Sequence, residues 1–279
     1  MKPAAAIKLA VFGQPVAHSL SPRIHRMFGE QLDIAVDYQA IEAGKEELAD
    51  RMSAFREAGG RGANLTVPLK EIGLRLCSAI DPVARRARAV NTLALNGDGW
   101  HGYNTDGAGL VLDLDRLDLP ITGKRILIIG AGGAVAGILE ALLDRQPETV
   151  CLLNRTPERA RRLADKFAHR GRIEAASLTD GPEGAPHDLL IQSTSAGHTG
   201  NLLPLERQWM TESANAYDLN YGPAHNTFAG WCQDNKLPVH DGLGMLVGQA
   251  ALAFEIWTGH RPEMQPVLER LTADKGLMG

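Results

Sequence analysis

A lysine and an aspartate frame the chemistry this sequence can offer. Lys70 closes Asn64-Leu65-Thr66-Val67-Pro68-Leu69-Lys70, and Asp106 sits in Asn104-Thr105-Asp106-Gly107. An ammonium beside a carboxylate can move a proton to or from the oxygen of a carbinol carbon. Asn91-Thr92 lies between the two segments. Asn, Thr and Asp at expected strand ends imply a polar pocket for a small ligand with several hydroxyl groups. The first loop adds His18-Ser19-Leu20-Ser21-Pro22, whose two hydroxyls suit a carboxylate or a polyol. Each piece has a plainer reading when taken alone: a lone lysine after a strand is a solvated charge, and serines before a helix are caps. His18 and His25 have no carboxylate at ligand spacing, so they read as structural and no metal is expected.

A second constellation is built from glycine. Arg125 to Ile129 is a continuous apolar run that enters Gly130-Ala131-Gly132-Gly133-Ala134, and a helix is expected from there to about Arg145. Glycines at a strand-to-helix turn let the backbone approach a pyrophosphate, which rests on the free N–H groups of the helix start. The third fingerprint position is Val135 instead of Gly or Ala. The next strand, Thr149 to Leu153, ends in Asn154-Arg155-Thr156, with Arg159 one turn further on. An acidic residue at that tip would select NAD. A guanidinium there can clasp a 2′-phosphate, so NADP is the expected cofactor.

The elements that must hold these residues alternate in type. Strands are expected at 7–13, 36–41, 62–67, 90–95 and 100–103. The last two flank Asn96-Gly97-Asp98-Gly99, a hairpin signal. Helices are expected from Pro22 and over 46–58. From about residue 104 the texture becomes βαβ. Strands are expected at 125–129, 149–153, around Ile173, at 189–192 and at 216–219, and Thr156-Pro157 opens a helix as cap and first turn. A mostly apolar helix over 243–259 follows, and 180–187 is the one loop-rich stretch.

Composition narrows the classes. The chain has 279 residues, 44% hydrophobic and 22% charged, which suits one large or two ordinary domains. Its net charge of −4 gives no electrostatic reason to track nucleic acid or an anionic membrane. Cys77, Cys151 and Cys232 form neither a disulfide framework nor a zinc motif, and they fit a reducing cytoplasm. Lys8 interrupts the N-terminal apolar run and Gly13 ends it, so that run reads as a strand and not as a signal peptide. No window reaches the length of a membrane span.

Taken together, the motifs resemble those of the shikimate dehydrogenase family, NADP-dependent enzymes of aromatic amino-acid biosynthesis. The resemblance runs from about residue 13 to 259. It rests on Gly13-Gln14-Pro15 with His18 to Pro22 and His25, on Asn64 to Lys70, and on Ala89-Val90-Asn91-Thr92. It continues through Gly102 to Gly107, Gly130 to Ala134, Asn154 to Thr156 and Gln192 to Gly197. Asp218-Leu219-Asn220-Tyr221-Gly222-Pro223 and Gly242 to Gln249 complete it. Arg26 and Gln192 stand where the family often has Asn, and Val135 is a family trait.

The resemblance implies an α/β fold of two domains. A substrate domain with a mostly parallel sheet is made of residues 1–103 and completed by helices in 239–279, and a Rossmann-type NADP domain is inserted over 104–238. It implies Lys70 and Asp106 as the catalytic pair in reversible reduction of 3-dehydroshikimate to shikimate. Ser19 and Ser21 would bind the substrate carboxylate, and Thr66, Asn91 and Gln249 its ring hydroxyls, with Tyr221 closing over it. Gly130, Ala131, Gly132, Gly133, Ala134, Asn154, Arg155, Thr156, Arg159, Leu219, Gly242 and Met245 would hold NADP. Met245 without the family pattern would read as core packing. A quinate or quinate/shikimate dehydrogenase with broader substrate or NAD use shares these motifs. The paired serines and Arg155 favour shikimate and NADP. Lys70 and Asp106 argue against a regulator without catalysis, and the Ser-x-Ser-Pro loop against a folate dehydrogenase of the cyclohydrolase type. Association as a homodimer is left open.

Overall fold

The computed structural model describes residues 5–201 and 203–276. Its contacts divide the chain into two units. One runs to Gly109 and resumes at Leu246; the other is Leu110–Met245.

The first unit opens with β1 (Ile7–Gly13), α1 (Ser21–Leu32), β2 (Val36–Glu42), α2 (Leu48–Glu57) and β3 (Gly60–Leu65). Leu9, Ala10, Val11 and Phe12 of β1 are all buried, the pattern of a strand covered on both faces. Phe12, Leu65 and Leu93 pack with Leu48, Met52 and Phe55 on one face, while Leu9, Val11 and Tyr38 pack on the other with Trp257 against them. The chain continues through β4 (Cys77–Ile80), α3 (Pro82–Ala87), β5 (Thr92–Asn96) and β6 (Gly99–Tyr103) into α4 (Asp106–Arg116), which belongs to this unit up to Gly109 and to the second from Leu110. The sheet order is β2-β1-β3-β5-β6-β4. β1 runs parallel to β2 and β3, and β4 to β6, whereas β5 is antiparallel to β3 and β6. The β5–β6 hairpin turns through Gly97 at φ +56°, a conformation that favours glycine.

Of the strand boundaries that differ from the sequence expectation, two shape the site. β3 closes at Leu65 instead of Val67: the Thr66 N–H still donates to Phe12 O at 2.9 Å, but Thr66 O already accepts the Leu69 N–H at 2.7 Å in the turn that leads to Lys70. β5 begins at Thr92 instead of Val90. The Val90 N–H donates to Lys70 O at 2.8 Å and the Asn91 N–H to Tyr103 O at 3.0 Å, so this backbone is committed to the Lys70 turn and to the end of β6.

The second unit contains β7 (Arg125–Ile129), α5 (Gly133–Asp144), β8 (Thr149–Asn154), α6 (Pro157–Phe167), β9 (Ile173–Ser177), β10 (His187–Gln192), β11 (Met210–Asp218), α7 (Asn226–Asp234) and β12 (Val239–His240). All strand pairs are parallel, in the order β12-β11-β10-β7-β8-β9. After β9 the chain crosses back to the far side of β7. The order therefore reverses between β7 and β10, the place where open α/β sheets bind ligands at their C-terminal strand ends. α6 buries Ala160, Leu163, Ala164 and Phe167, one stripe of helical spacing. Thr156 stands at its N-cap without a side-chain cap bond, so the expected cap rests on the backbone alone.

The chain returns to the first unit along α8 (Leu243–Thr258) and ends with α9 (Gln265–Gly276). The helices α3, α4, α7 and α9 had no clear sequence signal. α3 is short and capped by Asp81, whose Oδ1 accepts the Val83 N–H at 2.8 Å. Among the described residues no helix is long and apolar enough to cross a membrane.

Candidate active site

Lys70 lies in the turn after β3, where its carbonyl is held by Val90. Its Nζ donates to Asp106 Oδ2 at 2.6 Å, with the lysine side chain 26% exposed and the aspartate 7%. Asp106 is the first residue of α4, where a carboxylate faces the positive end of the helix dipole. Its own N–H donates to Asn104 Oδ1 at 3.0 Å. The other carboxylate oxygen, Oδ1, accepts from Asn91 Nδ2 at 2.8 Å.

The Asn91 amide is fixed in one orientation. Its Oδ1 accepts from the Thr105 N–H and from Thr92 Oγ1, both at 2.9 Å. Its Nδ2 therefore faces three acceptors: Asp106 Oδ1 at 2.8 Å, Thr105 Oγ1 at 2.9 Å and Gln249 Oε1 at 3.2 Å. An amide has two hydrogens, so the longest contact, to Gln249, is the one least served. Gln249 reaches this point because α8 passes close to α4: a Cβ on Gly109 would lie 2.5 Å from the Gln249 nitrogen. Beneath Asn91, buried Asn64 donates to Asn91 O at 3.1 Å and to Thr92 Oγ1 at 3.0 Å, and accepts from Tyr38 Oη at 2.7 Å.

The loop serines occupy the same unit. Ser21 is buried and begins α1, and half-buried Ser19 accepts the Ser21 N–H on its Oγ at 3.2 Å. Neither hydroxyl caps α1 from the N-cap position, which is Leu20. Ser21 also stands by the Tyr38 phenol, partly offsetting the rise in its pKa that burial causes. Thr66 is half-buried beside Gly13, where a Cβ would come within 2.3 Å of Thr66 Cγ2. His25 is fully buried, stacked on Tyr38 with ring centroids 4.4 Å apart and near Phe254 and Trp257. Among the described residues neither ring nitrogen has a hydrogen-bond partner, and burial lowers its pKa to about 3 despite the nearby Asn64 amide.

The second unit holds the remaining candidates. Gly130 turns at φ +119°, and a Cβ there would lie 2.4 Å from Ser193 Oγ, whose hydroxyl donates to Ile129 O. The loops after β7 and β10 are thereby joined at the reversal of strand order. Gly132 is the N-cap of α5 and offers no side chain to the first-turn N–H groups, and nothing lies within 4 Å of a Cβ built on Gly132 or Gly133. Ala131 is half-exposed and Ala134 exposed. An uncapped helix start behind exposed glycines fits a dinucleotide pyrophosphate. At the tip of β8, Asn154 Nδ2 donates to Thr156 O at 2.8 Å, and Arg155, Thr156 and Arg159 are exposed. Neither guanidinium forms an ion pair among the described residues.

Leu219 continues from β11 with its N–H on Gln192 O at 2.8 Å. Half-buried Tyr221 follows, its pKa raised by burial and by Asp241. The turn between them hangs on fully buried Asp218, which accepts from the Asn220 N–H at 3.0 Å and faces His225 Nδ1 at 3.0 Å. Gly242 is packed on Leu219 O, and the Met245 N–H donates to Tyr217 Oη at 3.2 Å. That phenol in turn donates to buried Asp113 Oδ2 at 2.7 Å. Met245 is half-buried against the core of this unit. Among the described residues no group of three His, Cys, Asp or Glu side chains could hold a metal ion.

Motif spacing alone did not single out Asn64, Thr92, Thr105 and Tyr217. The first three stand inside the quoted motifs, so the signal was present, but their contacts are not visible without the fold.

Known proteins match this chain in sequence and in fold. Residues 11–93 match the family model for the shikimate dehydrogenase substrate binding domain, 114–216 that for shikimate/quinate 5-dehydrogenase, and 242–272 that for the shikimate 5′-dehydrogenase C-terminal domain. The shikimate dehydrogenase (NADP(+)) of Xylella fastidiosa strain M12 is 42% identical over 98% of both chains. The chain belongs to the shikimate dehydrogenase family. A second shikimate dehydrogenase (NADP(+)), from Cellvibrio japonicus, is 45% identical over 94% of this chain and 95% of its own. The crystal structure of shikimate 5-dehydrogenase from Thermus thermophilus, in complex with NADP(H) and shikimate, aligns with a TM-score of 0.82 at 36% identity. That alignment covers 93% of this chain and 96% of the other.

Proposed function

We propose that the chain catalyses the reversible, NADPH-dependent reduction of 3-dehydroshikimate to shikimate, a step of aromatic amino-acid biosynthesis. The observation that carries the reading is the Lys70–Asp106 contact at 2.6 Å, set among Asn91, Thr105 and Gln249. When bound, the dinucleotide supplies the hydride in reduction and receives it in oxidation. The chain's own residues handle the proton. Lys70 donates one to the carbonyl oxygen as negative charge develops there, and withdraws it from the hydroxyl in the reverse direction. Asp106 keeps Lys70 at that oxygen and accepts from the substrate.

Ser19 and Ser21 bind the substrate carboxylate. Thr66, Asn91 and Gln249 hold ring hydroxyls, and the under-served Oε1 of Gln249 is suited to accept from one of them. Tyr221 closes over the substrate. In the second unit, Gly130 to Ala134 hold the pyrophosphate, Asn154 to Thr156 with Arg159 the adenine ribose and its phosphate, and Leu219, Gly242 and Met245 the nicotinamide end. The unpaired guanidinium of Arg155 supports NADP over NAD, and two serines in the first loop support shikimate over quinate. The thiols of Cys151 and Cys232 are buried and pushed up to about 12, and all three cysteines are free, which supports a reducing cytoplasm. Association as a homodimer stays open and is decided by light scattering at assay concentration. The function is tested by absorbance at 340 nm with shikimate or quinate, each offered NADP or NAD. Reduction only in the quinate or NAD arms would overturn it.

A further inference from the structure

We infer that Thr105 is the positioning residue of this site, holding Asn91, Asp106 and Gln249 in one arrangement through its hydroxyl and its N–H. The inference rests on the reading of Lys70 and Asp106 given above. Thr105 is 5% exposed and precedes Asp106, at the junction of β6 and α4. Its two polar groups bracket one amide. The N–H donates to Asn91 Oδ1 at 2.9 Å, and Oγ1 accepts from Asn91 Nδ2 at 2.9 Å. A two-point contact of this kind fixes both the place and the flip of the amide, which a single bond does not. The hydroxyl hydrogen is then free for a third partner, the Gln249 carbonyl at 3.0 Å.

Three consequences follow from one side chain. Asn91 is obliged to present its second hydrogen to Asp106 Oδ1, so that Oδ2 is left for Lys70. The Gln249 backbone is tied to the start of α4, which sets where its amide stands. Asp106 is held through its sequence neighbour. Thr105 itself hands its polar capacity to protein groups and acts through them. Only its hydroxyl is required, since a methyl adds nothing to these bonds. A hydroxyl lost at a buried site leaves Asn91 Nδ2 and Gln249 O each short of a partner.

The test compares substitutions that separate hydroxyl from methyl. In steady-state oxidation of shikimate with NADP, Thr105→Val keeps the volume and loses the hydroxyl; kcat/KM is expected to fall about 10- to 100-fold, in KM for shikimate as well as in kcat. Thr105→Ser keeps the hydroxyl and is expected within about threefold of wild type. NADP affinity by titration should be unchanged in both, since its contacts are assigned to other residues. If Thr105→Val fails to fold, Thr105→Ala against Thr105→Ser makes the same comparison. Val at wild-type kcat/KM, or Ser as impaired as Val or Ala, overturns the inference, because the methyl or nothing at all would then matter. Wild-type protein that fails to oxidise shikimate would instead sink the functional reading, which keeps the two failures apart.

Discussion

Lys70 and Asp106 share one oxygen of a carboxylate whose other oxygen belongs to Asn91: Nζ stands 2.6 Å from Oδ2, and Asn91 Nδ2 stands 2.8 Å from Oδ1. The lysine hydrogen is thus held by a group that is itself saturated from behind. That division keeps the ammonium directed, because a carboxylate free to rotate could offer either oxygen. Lys70 is also the more exposed partner, so its remaining hydrogens have room for an incoming oxygen.

Lys70→Ala is expected to lower turnover by roughly 10²–10⁴ with fold and NADP binding nearly intact. Initial rates at 340 nm, with circular dichroism and NADP titration as controls, check this. Turnover close to wild type would remove Lys70 from the mechanism.

Replacing Ser19 and Ser21 by Ala together is expected to raise KM for shikimate more than it lowers kcat. A carboxylate remote from the reacting carbon contributes mainly uniform binding. Should titration show unchanged shikimate affinity, both serines belong to the local geometry of α1, where Ser19 already accepts the Ser21 N–H.

His25 gives a pH prediction. Burial lowers its folded pKa to about 3 from 6.5, so the unfolded chain binds a proton that the folded chain refuses. Stability is unaffected above about pH 6.5 and falls as pH drops from there towards 3, by about 1.4 kcal/mol per unit in the steep part. His25→Phe keeps the stack on Tyr38 and removes the titration. Between pH 7 and 5 its urea unfolding should lose about 2 kcal/mol less than wild type, with His187 and His240, also lowered by burial, keeping their share. Equal acid sensitivity in both proteins would assign the loss elsewhere.

Tyr217→Phe is expected to cost about 1–3 kcal/mol, since it strands both buried Asp113 and the Met245 N–H. Denaturant midpoints measure it. An unchanged midpoint would mean that Asp113 is satisfied by Arg116 alone, whose Nε lies at 2.8 Å.

Much of this was legible before the fold was known, for reasons that differ by residue. The β7–α5 turn announced itself because an apolar strand, three glycines and a helix are local features. The Asn96–Gly99 hairpin did so because positive φ demands glycine. The start of β5 did not, because Val90 and Asn91 send their backbone bonds to residues 70 and 103, which no local pattern encodes. Thr105 stayed hidden for the same reason: its partners are Asn91 and Gln249, the second 144 positions away. The helix α4 was obscured because its polar start, Asp106-Gly107, reads as a turn.

The cofactor preference gives the last prediction. Arg155→Ala is expected to weaken NADP by about 1.5–3 kcal/mol, the worth of a hydrogen bond to a charged group, with NAD affinity nearly unchanged. The reasoning begins at the start of α5, where Gly132 caps the helix without a side chain and leaves its N–H groups for the pyrophosphate. From that anchor the neighbouring parallel strand β8 is expected to deliver its tip to the adenine ribose. The strand tip carries Asn154 and Arg155 and no carboxylate of its own to repel a 2′-phosphate. The exposed guanidinium is uncommitted and gives up no existing ion pair to bind it. Arg159 stands one turn along α6, also exposed, and can take part of the load, so the single variant should retain some preference. Arg155→Ala combined with Arg159→Ala should lose most of it. Dissociation constants for NADP and NAD on all three proteins decide the matter. A double variant that keeps the wild-type ratio would mean that the phosphate is read by other residues and that the ribose lies away from the tip of β8.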